Sequence, residues 1–81
     1  MNMERLQAKG LLSDYKRKFG HLDIEAKGLI ILIRTLLSPW EEDISKLKTD
    51  EAKVAAEKLD NIRSEMSALK TKIAAIEEDL G

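Results

Sequence analysis

The sequence predicts an all-α fold: an antiparallel, coiled-coil-like helical hairpin with a short helical connector, assembling into a four-helix bundle. Three observations carry this prediction. First, Ala52, Ala55, Leu59, Ile62, Met66, Leu69, Ile73, Ile76 and Leu80 alternate steps of three and four. A mean step of 3.5 holds one stripe on one face of an α-helix, as in the seam of a coiled coil. Second, Tyr15, Phe19, Leu22, Ala26, Leu29, Ile33, Leu36 and Trp40 repeat the same rhythm upstream. Third, the chain's single proline, Pro39, falls at the end of the upstream stripe, well before the second stripe begins at Ala52.

The first helix is expected over about residues 3–37. Gly10, Gly20 and Gly28 lie inside it, each about 1 kcal/mol less favourable than Ala. His21-Leu22-Asp23 offers an alternative restart with Asp23 as N-cap. The 4–3 rhythm, however, passes from Phe19 to Leu22 without a slip, so a continuous helix is the expectation. Pro39 pushes Ser38 out of the α region and ends the helix.

Residues 38–50 form the expected connector. Ser38-Pro39-Trp40-Glu41 reads as a new start, with Ser38 as N-cap, Pro39 at the first helical position and Glu41 closing a capping box. Trp40, Ile44 and Leu47 then share an edge that plugs the hairpin end. Thr49-Asp50 is the next expected cap, and the last helix follows over about residues 51–80, with Gly81 beyond it.

Matching the stripes sets Leu36 near Ala55, Ile33 by Leu59, Leu29 by Ile62, Ala26 by Met66, Leu22 by Leu69, Phe19 by Ile73 and Tyr15 by Ile76. Glu77, Glu78 and Asp79 sit at a helix C-terminus, where negative charge is unfavourable. The antiparallel arrangement brings them near Lys9, Lys16, Arg17 and Lys18.

Composition narrows the function. With 81 residues and no cysteine, the chain reads as a single domain (1–81) with a small core and no disulfide or thiolate metal site to reinforce it. Charged residues make up 36% and aromatics 4%, the mix of long helices. Fourteen basic against fifteen acidic residues argue against a dedicated nucleic-acid binder, which carries a basic excess. The apolar run from Leu29 to Leu37 is interrupted by Arg34 and Thr35 and falls well short of the roughly 20 residues of a bilayer span. No apolar leader follows Met1, so a soluble, cytoplasmic, membrane-free protein is expected.

Candidate chemistry is sparse. His21, the only histidine, lies two residues from Asp23 and off its helical face, which suits a surface residue better than a catalytic pair. The Glu-x-x-His pair of bundle metal sites is missing, and the stripes hold no carboxylate. Glu41, Glu42 and Asp43 suit helix N-terminal charge better than a metal. No cofactor and no catalytic residue is expected. Lys16-Arg17-Lys18 is the one basic cluster and the candidate phosphate contact. Trp40 is the candidate partner contact, set against its reading as an end plug.

Around Leu29-Ile30-Ile31-Leu32-Ile33 and Leu36-Leu37 the first helix is apolar on nearly every side, which belongs in an interior. These seven residues are the candidate oligomer interface. A homodimer is the expected assembly, with a higher even-numbered oligomer as the alternative. Leu6, Gly10, Gly20, Ile24, Gly28 and Ile31 lie away from the seam, either as a close-approach face for another helix or as a solvated one.

The Gly28-to-Arg34 stretch, the Leu36-Leu37-Ser38-Pro39 break and the Ile76-Glu77-Glu78-Asp79-Leu80-Gly81 ending together resemble the small two-helix proteins of Mu-like prophages. The likeness covers about residues 24–81. It implies an accessory protein of unassigned activity with no catalytic residue to carry over. A lesser likeness, to secreted WXG-type hairpins, is confined to the tryptophan at the bend: Trp40 is followed by Glu41-Glu42, not by the motif's glycine. The expected function is therefore non-enzymatic: a self-associating hairpin that binds another protein. The alternative is a dimeric nucleic-acid-associated regulator using Lys16–Lys18.

Overall fold

A computed structural model describes residues 2–81, with side chains from Met3 onward. Helix α1 spans Asn2–Leu36, a single 3-10 turn spans Ile44–Lys46, and helix α2 spans Thr49–Leu80. The helices pack antiparallel as a hairpin 65 Å long and only 16 by 14 Å across. Helix α1 runs unbroken through its three glycines. No restart occurs at Asp23; its carboxylate instead pairs with Lys27 one turn on, at 2.8 Å. The apolar phase carries through Gly20, so the tertiary seam outweighs the local penalty of about 1 kcal/mol.

Both stripes face each other. On α2, Ala52, Ala55, Ile62 and Leu69 are buried, and Leu59, Met66, Ile73, Ile76 and Leu80 are half-buried. On α1 the half-buried row is Tyr15, Phe19, Leu22, Ala26, Leu29, Ile33 and Leu36, extended toward the N-terminus by Leu12 and Ala8. That extension follows the same 3–4 rhythm and belongs to the seam. A two-helix cross-section cannot enclose large side chains on all sides, so most of the seam keeps one edge in water.

Register differs from expectation. The Tyr15 ring lies under Lys72 Nζ, 5.6 Å from its centroid, rather than level with Ile76. Two ion pairs span the hairpin, Lys16–Glu77 at 3.9 Å and Lys18–Glu65 at 3.0 Å. In heptad terms Lys16 and Glu77 are both e positions, and Lys18 and Glu65 both g. Like-position pairs of this kind flank an antiparallel seam on its two sides. Together they set Leu36 level with Ala52, Leu22 with Met66 and Tyr15 with Ile73, about one turn from the expected match. Two stripes of identical rhythm fit each other at several offsets, and apolar spacing alone does not choose among them. Of the basic residues expected beside the acidic C-terminal turn, Lys16 is the one that reaches it. Arg17 pairs with Asp14 at 3.7 Å, and the Arg5 guanidinium donates to the Leu80 carbonyl at 3.1 Å.

The connector corrects three expectations. Ser38 does not start a helix; its hydroxyl accepts from the Trp40 amide (3.3 Å) and its carbonyl from the Glu41 amide (3.3 Å), closing one turn. Glu41 does not complete a capping box, because its carboxylate accepts from the Asp43 amide at 3.1 Å. Asp43 caps the 3-10 turn through the Ser45 amide and hydroxyl. These short side chains satisfy the backbone locally and leave no continuous helix to propagate. Helix α2 opens at Thr49 with Lys48 as its N-cap and no side-chain cap, so Thr49-Asp50 is not the cap. Asp50 and Glu51 lie in the first turn, where negative charge is favourable.

Candidate interaction surface

At the connector end, which we call the tip, apolar side chains point outward. Leu29, Ile33 and Leu36 are half-buried in the seam, whereas Ile30, Ile31, Leu32 and Leu37 remain exposed. Ile24, 71% exposed, continues the outer row of Ile31, 64% exposed. Seven-residue spacing sets both at the heptad position directly opposite the seam. Val54 on α2 is also exposed.

Trp40 is 88% exposed and Ile44 65%. Neither plugs the hairpin end, and of the three residues given that role only Leu47 is half-buried. The cause is Pro39: helical phase does not carry across it, so Trp40 leaves the seam at the point where spacing would continue it. Ile31, Arg34 and Thr35 from α1, with Leu37, Ser38, Pro39 and Trp40 from the turn, line an open groove of about 620 Å³. The Thr35 hydroxyl donates back to the Ile31 carbonyl at 2.9 Å, which uses its one donor hydrogen and leaves it only as an acceptor toward the groove. Arg34 has no salt bridge among the described residues.

The basic cluster is assembled differently. Lys16, Arg17 and Lys18 each stand beside a carboxylate, Glu77, Asp14 and Glu65 respectively. Their positive field is therefore offset locally, and Tyr15 and Phe19 face the seam rather than forming a stacking platform. His21 is exposed. The Glu41–Asp43 carboxylates include two that accept connector amides. Among the described residues no three His, Asp or Glu side chains gather as a metal site, and no helix is long and apolar enough to cross a membrane.

A second exposed apolar group, Met3, Leu6 and Leu11, lies at the opposite end of α1. Leu6 is expected away from the seam, but the three as a group carry no spacing signal, because they do not fall on one heptad position.

No protein-family profile, curated protein or solved structure matches this chain.

Proposed function

We propose that this protein is a non-enzymatic, self-associating helical hairpin, a protein–protein interaction or structural accessory module whose tip region completes its core by packing against a second copy. The observation that carries this reading is the exposure of Ile30, Ile31, Leu32, Leu37 and Trp40 at one end of a hairpin, with Ile24 extending the outer row back along α1. Apolar groups so concentrated mark an interaction site on a small protein. Residues 29–37 lie centrally when two tips overlap as a four-helix arrangement, and a homodimer satisfies the geometry with the fewest copies. The resemblance to prophage two-helix proteins fits an accessory role in the cytoplasm, with a further protein bound through surfaces the dimer leaves open.

Sedimentation equilibrium over a concentration series tests this reading. A dimer or a higher even-numbered oligomer supports it. A monomer at every concentration overturns it.

The nucleic-acid alternative, through Lys16, Arg17 and Lys18, has less support. Each of the three cations already has a carboxylate neighbour that a phosphate would have to displace. Phosphate binding would weaken steeply with salt, whereas an apolar interface would not.

A further inference from the structure

We infer that the tip is a self-complementary anchor and socket: Trp40 of each copy inserts into the groove of the other, beside Arg34. This rests on the self-association proposed above and specifies its geometry. Trp40 borders its own groove yet stays 88% exposed, so it does not fill that groove itself. The turn that presents it is held by Pro39 and by the Ser38 hydroxyl on the Trp40 amide. A pre-set turn loses little freedom on docking. The groove, of about 620 Å³, has apolar walls from Ile31 and Leu37 and one cation, Arg34. Among aromatic side chains the indole face is the most favourable for a cation, and a guanidinium is the cation most often found there.

Charge selects the occupant. Arg34 has no carboxylate partner within its own chain among the described residues. Glu41 and Glu42 directly follow Trp40 and are exposed. A tryptophan that enters the groove with two carboxylates behind it brings Arg34 the charge it lacks. This chain carries both halves at one end, so a two-fold axis through the tip satisfies both sites at once. The same carboxylates count against a bilayer surface as occupant, because anionic lipid would repel them. Area agrees: docking Trp40 buries about 150–250 Å². Four or five neighbouring aliphatic side chains add roughly 60–120 Å² each. The sum, about 390–850 Å² per partner, spans the range from a small interface to the roughly 800 Å² of a standard one.

Trp40 is the chain's only tryptophan and therefore reports on itself. Its emission should shift to shorter wavelength as concentration rises, in step with association measured by sedimentation. Trp40→Ala and Arg34→Glu should each weaken association about tenfold or more while helicity is kept. Combining Arg34→Glu with Glu41→Arg and Glu42→Arg should restore it. Association with unchanged tryptophan emission, or unweakened in Arg34→Glu, places the interface elsewhere and overturns this inference while self-association stands. A helical charge-swapped variant that fails to reassociate also overturns it. A chain that stays monomeric throughout overturns both this inference and the reading beneath it.

Discussion

Lys18 and Glu65 meet at 3.0 Å across the hairpin, joining the middle of α1 to the middle of α2. Their partner pair, Lys16 and Glu77, closes the other flank at 3.9 Å. The apolar seam lies between them. The flanking charges select one offset among those that the seam would accept. Each pair is about half exposed, so its contribution to stability is small and its contribution to register is the larger one.

Reversing one charge should therefore be mildly destabilising and reversing both should be neutral. Lys18→Glu is expected to lower stability by about 0.5 kcal/mol, and Lys18→Glu with Glu65→Lys to recover most of it. Urea denaturation of the four proteins in this cycle measures the coupling.

The seam itself is far more sensitive. Leu69 keeps 4% of its surface exposed and Ile62 8%, the best-covered large side chains of the hairpin. Leu69→Ala should cost about 2–4 kcal/mol, a large share of the stability of a chain this size. Met66→Leu, at a half-buried position that changes little in volume, should cost under about 1.5 kcal/mol. Thermal unfolding followed by circular dichroism separates the two.

Gly20 and Gly28 face open space: beyond the helix's own neighbouring backbone, no atom lies within 4 Å of an added Cβ. Gly20→Ala and Gly28→Ala should each stabilise the helix by about 0.5–1 kcal/mol and leave assembly unchanged. Weakened assembly in either variant would show instead that these glycines admit a close-packed partner helix.

The two stripes were legible in the sequence because the 3–4 rhythm is unbroken for the length of each helix. All but one of the residues assigned to them are buried or half-buried. The exception is Trp40, and Pro39 explains it. Spacing describes a face only while the backbone remains helical, and the proline that ends α1 also cancels the phase. Register was less legible, since equal rhythms match at more than one offset. The discriminating signal was present in the flanking charges. The observed offset sets Lys16 opposite Glu77 and Lys18 opposite Glu65, and by the same arithmetic Glu25 opposite Lys58 and Asp23 opposite Lys70. The capping box at Ser38 failed because short polar side chains there serve competing local turns. For the tip, the apolar residues of α1 could be named from the sequence. The groove beside Arg34 could not, because it depends on how the turn folds back after Pro39.

Overlap at the tips alone would make a long particle. Solution X-ray scattering of the proposed dimer should give a longest dimension well beyond the 65 Å of one hairpin. A dimension near 65 Å would mean that the copies lie side by side along their full length.

Thermal unfolding over a hundredfold range of protein concentration tests most directly whether this thin hairpin completes its core by association, as proposed. Coupled folding and association require the midpoint to rise with concentration. A midpoint that rises, together with a single cooperative transition, is the predicted result. A midpoint independent of concentration would show that one hairpin is stable alone and would contradict the account.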